Sequence, residues 1–509
     1  MRAKRFVASS FARTLETVIA IVTGLIMMPL MIRILGEDLY GIWIVIGSIV
    51  SSLYLFDIGM ASSVTRFVSY ALGQNDRKRA SQIVSTAFAI YSVLAIVIFL
   101  TSVVIAFASS LIVKNPENIE LVRILIVIVG LNIAIEFPFK SYAGIAGYHL
   151  RQDLMSYSRI AFKILSTLVV AYLLFAGYQL IAIALVQFLS SFLSNFVFRY
   201  IARYLEPEVS VHFRSVDKGT LKEIFGFSAW TFLMDLARLL KERGDVWLVA
   251  AFTSPATLTV YYVGVRLVDY ANQLLNKAFG FTLPLYTEAF AQQDDDALKQ
   301  KVVMFLRLNT IVAGLMLSGG VLFGKDVIRV WMGSKFNAED AYLVLVILLT
   351  GRMIVFITNP FSNVLFAMAK NRYQALVSVI ETIASLVLIP IFITFIPNPL
   401  LAASLAISLP FTFTRTILQP SYVAQHSHLS LSLLYTTVAK PLVPILTLAV
   451  MGYMLNEYMD LQASIPHVLF EIIGFSVIYL GMLWLFVLND REKQLLWQGF
   501  RRLEGNKGT

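Results

Sequence analysis

Blocks of about twenty apolar residues recur along this chain, roughly one for every 36 residues, and each is long enough to cross a bilayer as a helix. Over 509 residues that spacing predicts about fourteen spans. The sequence is 58% hydrophobic and 14% charged, where soluble domains run near 45–50% and 25%. The charge deficit is spread along the whole length, so the expectation is an all-α polytopic membrane protein, not a soluble domain on an anchor. With no cysteine, disulfides, thiolate nucleophiles and cysteine-ligated metals are excluded. The basic start, Met1 to Phe6, resembles the head of a signal peptide. Arg13 and Glu16 interrupt the apolar run that follows, and no small-residue cleavage site comes after it, so it reads as a retained first helix.

Charge fixes the expected orientation. The segments assigned to the cytoplasm hold twenty Lys and Arg, whereas the outer loops hold only Lys114 and Lys335. By the positive-inside rule both termini are cytoplasmic and the number of spans is even. The formal charge of +10 is therefore assigned to these loops, not to nucleic-acid binding. The longest internal connection, 204–222, is polar and separates a first lobe (1–203, spans one to six) from a second (223–425, spans seven to twelve). Residues 426–509 add spans thirteen and fourteen and a cytoplasmic tail. The lobes repeat: Asp76 corresponds to Asp295, while Pro138-Phe139 and Gln152 recur as Pro360-Phe361 and Gln374. Six spans per lobe make this a parallel repeat, an architecture that places a substrate site between the halves.

Ionisable residues inside spans are costly and mark polar pathways. Asp235, Arg238, Glu242 and Asp245 fall on one helical face, as do Arg266, Asp269, Gln273 and Lys277. Asn132, Glu136 and Lys140 stand at i, i+4, i+8. Arg13 accompanies Glu16 in span one, and Asp57 precedes Arg66 by nine residues in span two. A shared water-filled cavity is the expectation, with structural ion pairs as the alternative for any single pair. Basic residues slightly outnumber acidic ones. Arg13, Arg66, Lys140, Arg238, Arg266, Lys277 and Arg352 are the candidates for binding an anionic substrate, since guanidinium matches phosphate in a bidentate manner. Glu16, Asp57, Glu136, Asp235, Asp245 and Asp269 are candidates for a coupling Na⁺ or H⁺. No metal site, other cofactor or catalytic residue is expected.

Short motifs follow one another in order: Leu35-Gly36-Glu37 before Tyr40-Gly41, Phe56-Asp57-Ile58-Gly59-Met60, the Gly73–Arg79 loop, and Asp245 followed by Tyr262 and Arg266-Leu267. In these the sequence resembles the polysaccharide-transporter, or O-antigen flippase, branch of the multidrug/oligosaccharidyl-lipid/polysaccharide (MOP) exporter superfamily. The resemblance implies a two-lobed flippase, not an enzyme, moving a polyprenyl-pyrophosphate-linked oligosaccharide from the inner to the outer leaflet of a prokaryotic cytoplasmic membrane. It implies ion- or potential-driven alternating access, action as a monomer on membrane lipid, and a polysaccharide polymerase among the assembly-pathway partners. Arg13 and Arg266 are the positions most comparable to the pyrophosphate-binding arginines of related lipid II flippases. The nearest rival is a cation-coupled multidrug (MATE-type) antiporter, which would favour an acidic cavity. A membrane glycosyltransferase would need a larger catalytic loop than any present.

Three motifs are set aside. Gly319 to Lys325 fits the start of a P-loop, but Asp326 replaces the Mg²⁺-binding Ser/Thr. His426 and His428 are two apart and have no further ligand nearby. Asp294–Asp296 reads as a helix N-terminal charge cluster. The basic tail after Asp490 is weakly amphipathic, suited to anionic lipid.

Overall fold

A computed structural model describes the backbone of residues 2–57, 59–113, 115–212, 215–279, 282–427, 429–458, 465–487 and 493. Within these, the side chains of 2–7, 111–112, 225–235, 237–238, 371, 443–444, 446, 448–449, 451–458, 465, 467, 469 and 486–487 lie outside the description. The described chain is helical, without a strand among the described residues. It divides into two compact units, Met1–Thr259 and Val260–Thr509.

The first unit contains α1 (Arg2–Leu35), α2 (Glu37–Ser52), α3 (Met60–Gly73), α4 (Arg77–Phe107), α5 (Ser109–Ile112), α6 (Pro116–Phe139), α7 (Ala143–Tyr148), α8 (Gln152–Phe175), α9 (Leu180–Leu205) and α10 (Lys218–Phe252). The chain passes into the second unit through α11 (Pro255–Phe279). There follow α12 (Leu283–Ala291), α13 (Asp295–Met332), α14 (Ala338–Ile357), α15 (Asn359–Ala367), α16 (Asn371–Phe395), α17 (Pro399–Phe413), α18 (Gln419–His426), α19 (Leu431–Tyr458) and α20 (Ile465–Met482). Ten helical segments among the described residues are long and apolar enough to cross a membrane, and they match the expected spans one to six and nine to twelve. Helices α10 and α11, of 35 and 25 residues, are also long enough by length but carry the charged stripes. Helices α19 and α20 occupy the places of spans thirteen and fourteen. Helix α10, grouped by the sequence with the second lobe, packs on α2, α3 and α4 of the first unit.

The internal repeat is written in the backbone. Helix α3 ends with Asn75 at φ 59, and α12 ends with Gln293 at φ 54. In each case the next amide reaches back to form a Schellman-type cap, Asp76 to the Ala71 carbonyl at 3.0 Å and Asp294 to that of Ala289 at 3.1 Å. Asp76 then caps α4 by accepting from the Arg79 amide, and Asp294 caps α13 by accepting from that of Ala297. The same device recurs at Leu150 and Ala369, with φ 54 and 55, leading into α8 and α16. These pairs lie 218 and 219 residues apart in sequence, so the partner of Asp76 is Asp294 in place of Asp295. Gln152 begins α8 as Asn371 begins α16, three residues before Gln374. Asp76→Ala and Asp294→Ala are each expected to cost about 1 kcal/mol, read as matched drops in thermal midpoint. An unshifted midpoint in either variant would refute that cap.

The polar connection after α9 lies strapped along the start of α4. The Ser210, His212 and Asp217 amides donate to the hydroxyls of Ser81, Ser85 and Thr86 at 3.1–3.3 Å. Arg77 holds Glu206 at 3.3 Å, and Arg79 holds Glu223 at 2.9 Å. Asp217 caps α10, and the Thr220 hydroxyl and amide keep its carboxyl below the usual carboxylate range.

Two glycines of the motifs quoted above have steric reasons. Gly59, at φ 66, starts α3 in a left-handed conformation that side chains disfavour. Gly41 on α2 faces the backbone of Pro255, and a Cβ there would stand 2.0 Å from its carbonyl oxygen. Beside it the Thr259 hydroxyl donates to the Glu37 carbonyl at 2.6 Å. Because the obstacle is backbone, Gly41→Ala is expected to destabilise this arrangement by about 1–3 kcal/mol, measured by thermal unfolding. A wild-type midpoint would show that the contact opens without cost.

Candidate functional site

A cavity of about 570 Å³ lies within the first unit. Helix α8 contributes Arg159, Lys163 and Ser166 at steps of four and three, and α9 contributes Gln187, Ser191, Ser194 and Phe198 at steps of four, three and four. Both spacings keep polar groups on one helical face. Asn132 and Glu136 enter from α6, Lys140 from the 3-10 turn Lys140–Tyr142 that follows it, Glu16 from α1, and Tyr54 from the 3-10 turn Leu53–Asp57.

Its charges are arranged in partnerships. Arg159 grips Glu16 with two bonds of 2.6 and 3.0 Å and a third, of 3.2 Å, to the Ser156 hydroxyl. Glu136 accepts from the Tyr54 hydroxyl at 2.7 Å. Lys140 donates to Asp57 at 2.8 Å and lies 4.8 and 4.2 Å from the ring centres of Tyr54 and Phe137, close enough for cation–π attraction. The other Asp57 oxygen accepts from the Tyr91 hydroxyl at 2.9 Å and the Ala61 amide at 3.0 Å. Tyr54 and Lys140 also stand in the wall of a second cavity of about 360 Å³, lined by Asp57, Leu239, Glu242 and Arg243 among others.

Other candidates are placed differently. Arg13 is exposed and donates to Gln152 at 3.4 Å. Arg66 is exposed on α3. Asp57 closes the 3-10 turn and Gly59 precedes α3, so their nine-residue spacing is not a spacing along one helix. Asp245 is half-buried on α10, and the side chains of Asp235 and Arg238 lie outside the described residues. In the second unit, Arg266 lies 3.9 Å from Asp269 and 4.7 Å from the Tyr262 ring centre. Lys277 is exposed near the end of α11. Arg352 on α14 lies 5.4 Å from the Phe411 ring centre.

The sequence reading missed Arg159 and Lys163, whose four-residue spacing was the available signal, and a buried cluster in the second unit. After α17 the chain takes one turn of π-helix, Thr414–Leu418. Such insertions often mark functional positions. Here the turn presents Thr414 and Arg415 to Glu381 on α16. Arg415 makes bonds of 2.7 and 2.9 Å to the two Glu381 oxygens, and the Thr414 hydroxyl donates at 2.6 Å. The two side chains are 4% and 0% exposed. Ser362 and Gln419 accept from the outer face of Arg415 at 3.3 Å.

The motifs set aside resolve simply. Gly319 to Lys325 lies inside continuous α13, and Lys325 pairs with Glu339. His426 bonds the Tyr422 carbonyl at 2.9 Å. His428 and the tail after Asp490, apart from position 493, lie outside the described residues. Among the described residues no group of three or more acidic or histidine side chains is placed to hold a metal.

The sequence model of the polysaccharide biosynthesis protein family matches residues 30–339. The chain belongs to that family. No curated protein sequence matches the chain, so its further likenesses are of fold. The lipid II flippase MurJ, in an inward closed conformation, is 15% identical with a TM-score of 0.69 over 94% of this chain and 98% of its own. An inward-facing MATE multidrug resistance transporter of the MOP superfamily is 13% identical with a TM-score of 0.66, over 82% and 96%. A MOP superfamily transporter from Pyrococcus furiosus Vc1 (DSM3638) is 14% identical with a TM-score of 0.57, over 85% and 97%. The chain is therefore a multi-pass membrane protein with a MOP transporter fold.

Proposed function

We propose that the protein flips a polyprenyl-pyrophosphate-linked oligosaccharide from the inner to the outer leaflet of a prokaryotic cytoplasmic membrane, with both termini in the cytoplasm. The observation that carries this reading is a polysaccharide biosynthesis family match on a chain whose fold resembles a lipid II flippase. The twenty-to-two asymmetry of basic residues supports the orientation. A pyrophosphate cannot cross hydrocarbon unaided, because removing its water costs far more than the membrane returns. Arginines such as Arg13, Arg66, Arg266 and Arg352, with Lys277, replace that hydration while the polyprenyl tail stays in lipid. An ion gradient or the membrane potential drives alternating access, and the carboxylate–ammonium pair Asp57–Lys140 is the place where an exchanged H⁺ or Na⁺ would act. A single protomer is sufficient for transport, and polymerase partners follow downstream.

The test is a proteoliposome assay with a polyprenyl-pyrophosphate-linked oligosaccharide, in which glycosidase access reports the leaflet. Wild type is expected to flip the substrate. Arg266→Ala and Arg13→Ala, with wild-type thermal midpoints, are expected to be about tenfold slower, equivalent to the loss of one charge-assisted hydrogen bond. Unchanged flipping in both variants would remove the arginines from the mechanism. Ion-driven efflux of a cationic dye without glycolipid flipping would make the protein a MATE-type antiporter.

A further inference from the structure

We propose that the cavity between α8 and α9 is a sugar subsite, taking an uncharged hexose or N-acetylhexosamine residue of the transported glycan. The proposal deepens the flippase reading, and rests on it for the claim that the sugar arrives lipid-linked.

Five observations carry it. The α9 face toward the cavity presents Gln187, Ser190, Ser191, Ser194 and Asn195, all neutral hydroxyls and amides. On a helix that crosses lipid, such a row is costly unless a polar ligand or water uses it. Asn195 is 3% exposed, and its Nδ2 has no hydrogen-bond partner among the described residues. A buried amide left in this state is an unmet donor in the wall of the cavity.

Much of the cavity's charge is matched within its own surroundings. Arg159 holds Glu16 and Asp57 holds Lys140, while Glu136 accepts from the neutral Tyr54 hydroxyl and Lys163 stands in the same wall. With Asp57 counted, the three carboxylates and three cations sum to zero, so net charge selects neither a cationic drug nor a pyrophosphate. A neutral polyol needs no net charge, and its hydroxyls can both donate and accept. Phe139, Phe162 and Phe198 supply apolar ring surface in the same walls, where the C–H face of a pyranose can pack while its hydroxyls meet the α9 row. The volume of about 570 Å³ falls within the range of small-molecule sites.

Saturation-transfer NMR on the full-length protein in nanodiscs tests this, with methyl glucoside and methyl N-acetylglucosaminide as probes. Wild type is expected to transfer saturation to at least one sugar. Asn195→Leu, which removes the donor, and Ser191→Phe, which fills the space, should each weaken the signal at least tenfold at an unchanged thermal midpoint. If one variant fails to fold, the other decides. Absence of transfer to both sugars in wild type overturns the proposal, as does a signal that survives in a folded variant. So does tetraphenylphosphonium displacing the sugar and showing the same sensitivity to both variants. Flipping is assayed in parallel. Glycolipid flipping by wild type without a sugar signal overturns the subsite and leaves the flippase reading. A variant-sensitive sugar signal without flipping overturns the flippase reading and leaves the subsite.

Discussion

Glu381→Gln is expected to destabilise the protein by about 3–5 kcal/mol, because it leaves the Arg415 guanidinium buried beside a neutral amide. Glu381 is fully buried and Arg415 is 4% exposed, so neither charge can turn to water when its partner is lost. The pair also holds the π-turn, since Thr414 and Arg415 both bond the same Glu381 oxygen. Arg415→Met should cost a similar amount. The double variant Glu381→Leu with Arg415→Met should recover much of the loss, as buried ion pairs replaced by apolar groups of similar volume often do. Thermal unfolding in detergent, compared across the four proteins, reads the difference. Equal midpoints for wild type and Glu381→Gln would refute the buried pair.

Asp57→Asn is the second large effect. The substitution keeps the shape but removes the charge that Lys140, Tyr91 and the Ala61 amide all address. The pair is 17–18% exposed, so water can offset only part of the loss. A cost of about 1.5–3 kcal/mol is expected, the range for hydrogen bonds to charged groups. Lys140→Met should behave alike, and the double variant should cost less than the sum of the two, with a coupling energy of about 1–3 kcal/mol in a double-mutant cycle. In proteoliposomes, Asp57→Asn is expected to flip substrate at a rate that no longer rises when an H⁺ or Na⁺ gradient is imposed. A response equal to wild type would place ion coupling elsewhere. The sequence groups Lys140 with candidate pyrophosphate-binding cations and keeps an ion pair as the alternative, and the structure pairs it with Asp57.

Much of the architecture was legible because it depends on local properties. A run of apolar residues must become a helix in lipid, where each amide needs a partner within its own segment. The caps are local too, since Asp76 and Asp294 each meet an amide three residues on. The stripe Asn132, Glu136, Lys140 faces one cavity because α6 keeps its period up to Phe139. Where that period is broken, the reading by spacing fails: the 3-10 turn and Gly59 detach Asp57 from Arg66. The repeat was visible at offsets of 219 and 222, and the left-handed caps set it at 218 and 219. A helix tolerates a shift of three residues with little change of face, whereas a cap does not.

By itself, the sequence determined an all-helical membrane chain with an internal repeat and polar faces on particular helices. Only the tertiary structure decided which charges meet: Glu16 with Arg159, 143 residues away, Asp57 with Lys140, 83 away, and Glu381 with Arg415, 34 away. Helical period specifies the face on which a side chain stands. Its partner depends on which other face packs against it, and that is fixed by the fit of whole helices to one another.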